Sequence, residues 1–267
     1  MGSDEGPITS KPSGGKDMRL SDYLSLTGAI TDERLYRAFS TIDRAGFLPE
    51  DRQQEAHRDW VIPTLQVQGK SLSTNSQPSL IAAMIELLGL TGSERVLEIG
   101  TGTGYCTAIL STLLDRGEVY SVDILESLIS KANQNLARYE ITNAHVRAGD
   151  GFQGWEEAAP FDAILATVAI GDIPDRLFEQ LKVGGRFVCP LYIHSEETPV
   201  YLLERSSASE VTGTFRIDAV FISMTEHIGP EENRLQKPRR RIVFRKETEN
   251  SPYRLNPMNV GKTKGHL

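Results

Sequence analysis

The middle of the chain alternates short apolar segments with longer segments whose apolar residues recur at helical spacing. Strands are predicted over 95–99, 118–122, 144–148, 161–166 and 187–191, and helices over 105–115, 125–139 and 174–181. Alternation of this kind is typical of a doubly wound, parallel α/β sheet. Residues 200–204 and 215–224 instead alternate apolar and polar positions, which predicts antiparallel strands at the edge of that sheet.

Helices are also predicted before this sheet. Apolar spacing indicates helices between residues 19 and 40 and a further helix over 78–88. The residues just before the latter helix, 71–77, contain many hydroxyl side chains and are predicted to form a loop. Ser76 or Thr74 is expected to cap the helix, which is compatible with a role of the same hydroxyl at a functional site.

The strand predicted over 95–99 runs directly into Gly100, Gly102 and Gly104, and a helix follows. Glycine permits positive φ and lets a ligand approach the backbone where a Cβ would clash, so this pattern predicts a nucleotide-binding turn. The spacing is G-x-G-x-G rather than the G-x-G-x-x-G of dinucleotide turns, and Glu98 lies just before the first glycine. A carboxylate there would repel a diphosphate but suits a cationic ligand end, such as an amino group.

Two further acids stand at the ends of the next predicted strands. Asp123 follows the strand over 118–122, where an acid can hold ribose hydroxyls. Asp150 lies between two glycines after the strand over 144–148, where it can bind an adenine amino group. Together with Glu98, these acids match the polar groups of S-adenosylmethionine and predict a methyltransferase. NAD or FAD binding, or an ordinary glycine turn without a ligand, are the alternatives.

Composition and charge narrow the class of protein. The chain has 267 residues, of which 39% are hydrophobic and 24% charged, and it lacks an apolar run of about eighteen residues that would predict a membrane span. The net charge of −7 disfavours a nucleic-acid partner, and the basic patch at 237–246 is interpreted as a solvated tail. Cys106 and Cys189 have no metal-ligand spacing and are expected to be buried thiols. We expect a cytoplasmic monomer without a metal, membrane or nucleic-acid partner.

The chain is expected to divide into four parts. The first is rich in glycine and proline and has little apolar surface to bury, which is typical of disorder. The predicted parts are a disordered leader (1–17), an N-terminal helical segment with the hydroxyl-rich loop (18–90), the cofactor-binding core (91–225) and a C-terminal extension (226–267).

Several short motifs are more specific than the glycine turn. Residues 74–78 read Thr-Asn-Ser-Gln-Pro, and residues 56–59 read Ala-His-Arg-Asp. Further motifs are Gly149-Asp150-Gly151, Gly154-Trp155, Ala159-Pro160-Phe161-Asp162-Ala163-Ile164 and Gln180-Leu181-Lys182-x-Gly184-Gly185-Arg186. Within roughly 38–224, these motifs resemble the protein-L-isoaspartate (D-aspartate) O-methyltransferase family, including its Thr-x-Ser-Gln-Pro loop and its Ala-Tyr-x-Asp segment.

The resemblance implies a Rossmann-like methyltransferase fold, S-adenosylmethionine as cofactor and an isoaspartyl protein or peptide as substrate. It implies Ser76 as the active-site residue that holds the acceptor carboxylate, with Thr74 beside it and Asp59 shaping the acceptor site. The residues predicted to bind the cofactor are Glu98, Gly100, Thr101, Gly102, Gly104, Asp123, Ile124, Asp150, Gly151, Asn75 and Thr225. The acceptor carboxylate is ionised at neutral pH, so the reaction needs alignment and exclusion of water rather than a general base.

Three departures from the family pattern lie on the acceptor side. The first is a longer segment, 69–73, before the Thr-x-Ser-Gln-Pro loop. The others are His57 in place of a tyrosine and the segment 166–171 in place of a small-residue Thr-Ala-Ala loop. His57 is expected either to touch the substrate or to be structural. Three functions stay open: repair of isoaspartyl sites in many proteins, modification of one ribosomally made peptide, and cofactor binding without catalysis.

Overall fold

The computed structural model describes residues 18–171, 173–191, 198–217, 219 and, for the backbone alone, 241–245. The predicted leader and most of the predicted C-terminal extension lie outside these residues. The α-helices in the described part are α1 (Leu20–Leu26), α2 (Glu33–Thr41), α3 (Pro78–Leu88), α4 (Tyr105–Leu113), α5 (Glu126–Arg138) and α6 (Asp175–Gln180). The strands there are β1 (Ile62–Val67), β2 (Lys70–Asn75), β3 (Arg95–Ile99), β4 (Glu118–Asp123), β5 (Ala144–Ala148), β6 (Phe161–Ala166), β7 (Leu181–Pro190), β8 (Val200–Arg205), β9 (Glu210–Ile217) and β10 (Arg241–Arg245).

Eight strands form one sheet in the order β10-β9-β8-β7-β6-β3-β4-β5. The strands from β7 to β5 run parallel, which confirms the predicted α/β sheet. The chain proceeds from β3 outward to β4 and β5 and then returns to β6 on the other side of β3. The carboxyl ends of β3 and β6 therefore flank the point where the strand order reverses, which is where sheets of this kind bind ligands.

The central parallel strands β3 and β6 are buried on both faces because helices cover both. On β3, Val96 packs in a cluster that contains Ile81 of α3 and Ile109 of α4. The next residue, Leu97, packs on the opposite face in a cluster that contains Phe178 of α6. Burial on both faces explains why the sequence shows continuous apolar runs at these strands rather than alternation.

The C-terminal edge of the sheet is antiparallel in part. β8 pairs antiparallel with β7, and β9 pairs antiparallel with β8, as the alternating pattern predicts. The predicted strand over 215–224 has the wrong start, because β9 already begins at Glu210. A turn precedes it, in which the backbone N–H of Ser206 donates to the carbonyl of Glu210 at 3.1 Å. Residues 220–224 of that prediction lie outside the described part.

Part of the segment that contains the basic patch belongs to the sheet rather than to a tail. Residues Arg241–Arg245 form β10, which pairs in parallel with β9 from Glu210 to Thr214. Backbone pairing gives this segment a place at the edge of the sheet that its charge alone does not indicate. The remaining residues of the patch, 237–240 and 246, lie outside the described part.

The N-terminal helices agree with the predictions. The side chain of Asp32 caps α2 by accepting from the backbone N–H of Arg34 at 2.8 Å. Gly89 ends α3 in the left-handed conformation, with φ of 61°. Packing of these helices beside the glycine-turn helix α4 joins the N-terminal segment to the sheet domain.

The predicted loop at 71–77 is largely a strand. Most of it belongs to β2, which pairs antiparallel with β1 to form a hairpin separate from the main sheet. The hairpin turns at Gln68 and Gly69, whose φ values of 51° and 76° are both positive, as in the tight turns that suit hairpins. The Gln-Gly pair between two polar-apolar segments was the available sequence signal.

Both cysteines are buried, as expected, and burial raises the pKa of the Cys106 and Cys189 thiols. Within the described ranges, no helix has the length and apolar character needed to cross a membrane. The same ranges contain no group of three or more histidine, cysteine or acidic side chains arranged to hold a metal ion.

Candidate active site

An open cleft lies at the carboxyl end of β3, between the glycine turn and the corner where β2 meets α3. We call residues 74–76 the acceptor corner. The cleft is lined by Thr74, Asn75, Ser76, Ile81, Gly100, Thr101, Gly102, Thr103, Tyr105, Cys106 and Thr167. The fold thus brings the predicted acceptor residues and part of the predicted cofactor site into the lining of one cleft.

The glycine turn has a conformation that other residues adopt only with strain. Gly100 has φ of 100°, and a Cβ added there would lie 2.5 Å from Oγ1 of Thr167. Gly104 has φ of 90° and directly precedes α4, where an added Cβ would lie 3.3 Å from the Cβ of Ala132. Both positive φ and lack of space therefore require glycine in this turn.

Glu98 is completely buried beneath the glycine turn. Its Oε2 accepts hydrogen bonds from the hydroxyls of Ser121 (2.6 Å) and Thr107, while Oε1 has no hydrogen-bond partner in the described part of the chain. Burial raises the pKa of this carboxyl to about 7, although the two hydroxyl hydrogen bonds oppose the shift. A buried carboxylate oxygen without a partner fits a cationic group of a ligand.

A hydroxyl chain connects Glu98 with the cleft. Ser121, which donates to Glu98, lies 2.6 Å from Oγ1 of Thr101, and Thr101 lines the cleft. Ser121 is the residue of β4 that stands directly opposite Glu98 in the parallel register. The sequence analysis missed Ser121 and Thr107, although aligning the two predicted strands would have placed Ser121 beside the carboxylate.

Asp123 holds the glycine turn from the neighbouring strand. Its Oδ2 accepts from the backbone N–H of Gly102 (2.7 Å), and its Oδ1 accepts from the backbone N–H of Leu125 (2.9 Å). Burial raises the pKa of Asp123, and the backbone hydrogen bonds oppose this rise. Asp123 and Ile124 lie beside the cleft rather than in its lining, and each carboxylate oxygen keeps a lone pair that a ribose hydroxyl could use.

Asp150 and Gly151 lie at the next strand end. The backbone N–H of Gly149 donates to the carbonyl of Asp123 at 2.9 Å, which joins the ends of β5 and β4. The side chain of Asp150 accepts from the backbone N–H of Phe152 (2.9 Å) and begins a short 3₁₀ helix, Gly151–Gln153. The three predicted acids therefore follow one another along the carboxyl edge of β3, β4 and β5.

The predicted capping of α3 by Ser76 or Thr74 is wrong. The N-cap residue is Gln77, whose side chain forms no cap hydrogen bond, and the cap comes from a distant residue. Oδ1 of Asp59 accepts from the backbone N–H of Ser79 (2.8 Å), and its Oδ2 accepts from Nε2 of Gln77 (3.1 Å). Because Asp59 supplies the cap, Ser76 and Thr74 are left to line the cleft.

Two other predicted positions, Asp59 and His57, do not line the cleft. Asp59 is not among the residues that line it, and its carboxylate is engaged with the start of α3. His57 is exposed to solvent. Thr225 lies outside the described residues.

Comparison with known proteins connects this geometry to a family. The family model described as protein-L-isoaspartate (D-aspartate) O-methyltransferase matches residues 16–229. A protein-L-isoaspartate O-methyltransferase from Myxococcus xanthus is 47% identical over 175 residues, which cover 66% of this chain and 79% of the relative. A relative of the same name from Geobacter metallireducens is 40% identical over 191 residues, which cover 72% of this chain and 85% of the relative.

The chain belongs to this family. Membership confirms the resemblance found in the sequence and the class of enzyme, a methyltransferase. A solved protein-L-isoaspartate O-methyltransferase superposes with a TM-score of 0.71 at 32% identity, covering 79% of this chain and 66% of that one. A β-aspartate methyltransferase from Plasmodium falciparum, solved with S-adenosyl-L-homocysteine, gives a TM-score of 0.67 at 19% identity over 78% of this chain and 97% of its own, which supports the fold alone.

Sequence reasoning also missed two residues that line the cleft, Tyr105 and Thr167, and one residue behind it, Arg44. Tyr105 begins α4, and its buried hydroxyl has no hydrogen-bond partner in the described part of the chain. Thr167, at the end of β6, donates through Oγ1 to the carbonyl of Gly100 at 2.8 Å and so holds the glycine turn. Arg44, a fully buried cation behind the acceptor corner, carried no sequence signal, because a single arginine in a polar segment is usually exposed.

Proposed function

We propose that this chain is an S-adenosylmethionine-dependent carboxyl O-methyltransferase that acts on L-isoaspartyl residues of proteins or peptides. Family membership supports the reaction, and one structural observation carries the assignment of the site. The hydroxyl-bearing acceptor corner and the glycine turn line the same cleft. A methyl donor bound at the glycine turn and a carboxylate bound at the acceptor corner would therefore share this cleft.

The carboxyl edge of the sheet fits S-adenosylmethionine. We assign the amino group to Glu98, the ribose hydroxyls to Asp123 and the adenine amino group to Asp150 with Gly151. The remaining contacts fall to the predicted residues Asn75, Gly100, Thr101, Gly102, Gly104, Ile124 and Thr225. When bound, the cofactor supplies a methyl group made electrophilic by its sulfonium centre.

The acceptor corner holds the carboxylate. Ser76 and Thr74 present hydroxyl groups to the cleft, and hydrogen bonds from neutral donors orient a carboxylate without neutralising it. Such orientation can supply much of the rate enhancement of a reaction between two bound groups. No general base is required, because the acceptor is already ionised at neutral pH.

The later chemistry belongs to the substrate. The methyl ester at an isoaspartyl site is attacked by the neighbouring backbone nitrogen, methanol leaves, and a succinimide forms. Hydrolysis of the succinimide returns part of the material to normal aspartate. We therefore assign the chain to repair of isoaspartyl sites, as a monomer acting in the cytoplasm.

The test is transfer of labelled methyl from S-adenosylmethionine to a short isoaspartyl peptide, with the normal aspartyl peptide as its twin. Ser76→Ala is the informative variant, and Ser40→Ala, at an exposed position on α2, is its matched control. We expect base-labile labelling of the isoaspartyl peptide alone, a loss of about 100-fold in Ser76→Ala, and no loss in Ser40→Ala.

Two outcomes would overturn the proposal. Labelling of both peptides equally would show that the enzyme does not recognise the isoaspartyl linkage. Absence of labelling while S-adenosylhomocysteine still binds would exclude general repair and direct the search to one dedicated peptide partner.

A further inference from the structure

The acceptor corner is held by a buried cation that no prediction included. Arg44 begins a short 3₁₀ helix, Arg44–Phe47, and only 2% of its surface is exposed. No carboxylate lies within ion-pair distance of it in the described part of the chain. Burial lowers the pKa of the guanidinium to about 10. Burying an unpaired charge is unfavourable unless its hydrogen bonds are well satisfied.

The guanidinium donates five hydrogen bonds, all to oxygen atoms of two chain segments. Nε donates to Oδ1 of Asn75 at 2.8 Å. Nη1 donates to the carbonyl of Arg58 at 2.7 Å, and Nη2 donates to the carbonyl of Trp60 at 2.8 Å. Nη2 also reaches the carbonyls of Asn75 (3.2 Å) and Ser76 (3.1 Å). The planar fork of arginine suits several fixed acceptors at once.

These bonds join the two motifs that carry the family resemblance on the acceptor side. The carbonyls of Arg58 and Trp60 flank Asp59, the residue that caps α3. The carbonyls of Asn75 and Ser76 belong to the corner that lines the cleft. Arg44 therefore ties the backbone on both sides of Asp59 to the backbone that carries the acceptor hydroxyl.

We propose that Arg44 is a positioning residue for methyl transfer, which acts through Asn75 and Ser76 and does not itself touch the substrate. This inference rests on the proposed function. A displaced corner would still bind a carboxylate loosely, but it would no longer direct the acceptor oxygen at the methyl carbon. The loss should therefore appear mainly in kcat, because misplacement by about 1 Å can reduce a rate about 100-fold.

Arg44→Lys is the informative variant, because lysine keeps the positive charge but has a single ammonium group in place of the planar guanidinium with its five N–H donors. Arg205→Lys is the matched control. Arg205 also donates to backbone carbonyls, at 2.6 Å to Phe178 and at 3.2 Å to Ser207, but on the far side of the sheet domain from the cleft. Both variants lose hydrogen bonds from an arginine to backbone carbonyls. Their unfolding temperatures are therefore measured as well, so that a loss of kcat can be compared with the loss of stability in each variant.

We expect Arg44→Lys to lower kcat for the isoaspartyl peptide by about 10- to 100-fold, with a smaller change in KM. Arg205→Lys should lose thermal stability with kcat unchanged. Arg44→Gln, which keeps part of the donor set without the charge, should give a similar loss of kcat and keeps the inference testable if Arg44→Lys does not fold. An unchanged kcat in folded Arg44→Lys or, where that variant does not fold, in Arg44→Gln would overturn the inference.

Hydrogen exchange separates this inference from the proposed function. In Arg44→Lys, the backbone amides of residues 74–77 and 79 should exchange faster than in the unmodified chain (Pro78 has no amide hydrogen), whereas Arg205→Lys should leave them unchanged. This result would support the positioning role even if the isoaspartyl peptide proved to be the wrong substrate. Equal protection of these amides in Arg44→Lys and the unmodified chain would overturn it.

Discussion

The two walls of the cleft are built in different ways. The wall predicted to bind the cofactor (the cofactor wall) is the glycine turn at the end of β3, beside the ends of β4 and β5. Backbone hydrogen bonds from Gly100 to Val122 and from Gly149 to Asp123 join these three strand ends. The acceptor wall consists of a hairpin end, a polar segment and a 3₁₀ helix, which meet around the guanidinium of Arg44. The pairing of the strands fixes the geometry of the cofactor wall, whereas the geometry of the acceptor wall depends on a few side chains that join distant segments.

This difference predicts where substitutions act. Changes in the cofactor wall should disturb the sheet edge itself and lower both stability and cofactor affinity. Changes in the acceptor wall should leave the sheet and cofactor binding largely intact and lower the rate of methyl transfer.

Gly100→Ala should distort the glycine turn at the end of β3. The substitution forces alanine to φ of 100° and places its Cβ 2.5 Å from Oγ1 of Thr167, so backbone strain and overlap add. We expect the free energy of unfolding to fall by about 2–5 kcal/mol, measured by urea denaturation. Binding of S-adenosylhomocysteine, measured by calorimetry, should be lost.

Gly184→Ala is the matched control for this prediction. Gly184 also has positive φ, 84°, but an added Cβ would meet no atom within 4 Å. The free energy of unfolding of Gly184→Ala should therefore fall only by the backbone strain of alanine at positive φ, about 1 kcal/mol, and cofactor affinity should not change. Equal losses of stability in the two variants would show that overlap with Thr167 does not matter.

Glu98→Gln should change the pH dependence of cofactor binding. Burial raises the pKa of Glu98 to about 7, and a bound ammonium group would favour the ionised carboxylate. Binding below pH 7 must therefore release a proton, and affinity should weaken as pH falls, by up to about tenfold per pH unit. The variant should bind about 10- to 100-fold more weakly at pH 8 and show no such dependence. Calorimetry between pH 6 and 8 measures both effects.

The same carboxyl should influence stability in the opposite direction. The folded chain without cofactor holds a proton on Glu98 that the unfolded chain loses from about pH 4.5 upward, because the pKa rises from 4.5 to about 7 on folding. Its contribution to stability should therefore fall as pH rises from 4.5 to 7 and stay level above that. Glu50→Gln, at an exposed position, is the control, and an unaltered pH profile of Glu98→Gln would contradict the assignment.

The two walls also differed in how well the sequence predicted them. The positions of the glycine turn, Glu98, Asp123 and Asp150 at strand ends could be predicted because each has a fixed place relative to an apolar strand, and strand periodicity is local. Parallel strands then place those ends together without further information. The hydroxyl of Ser121 was missed, although register alone puts it opposite Glu98.

The acceptor wall could be predicted only through the family resemblance. Its motifs identified Ser76 and Asp59, but not how they are held. The helix cap was assigned to Ser76 or Thr74 because local hydroxyls usually supply it, whereas the structure uses Asp59, twenty positions from Ser79. Arg44 meets carbonyls 14 to 32 positions away, and contacts over such distances leave no periodic trace in the sequence.

Asp59→Ala should produce the smallest effect on stability and still separate the two walls. The substitution removes the cap of α3, so the free energy of unfolding should fall by about 1 kcal/mol. Because the freed helix start carries the acceptor corner, kcat for the isoaspartyl peptide should fall several-fold. Affinity for S-adenosylhomocysteine should change little, since Asp59 does not line the cleft.

Asp32→Ala provides the matched control, because Asp32 caps α2 through the same kind of bond, at 2.8 Å to the backbone N–H of Arg34. Both variants should lose comparable stability in urea denaturation, but only Asp59→Ala should lose kcat. If the two variants lost kcat equally, the effect would come from general destabilisation, and the acceptor wall would not depend on its cap. If neither variant lost kcat, the position of Ser76 would depend on Arg44 and not on the helix cap. Arg44 and Asp59 would then not act together in positioning the acceptor corner.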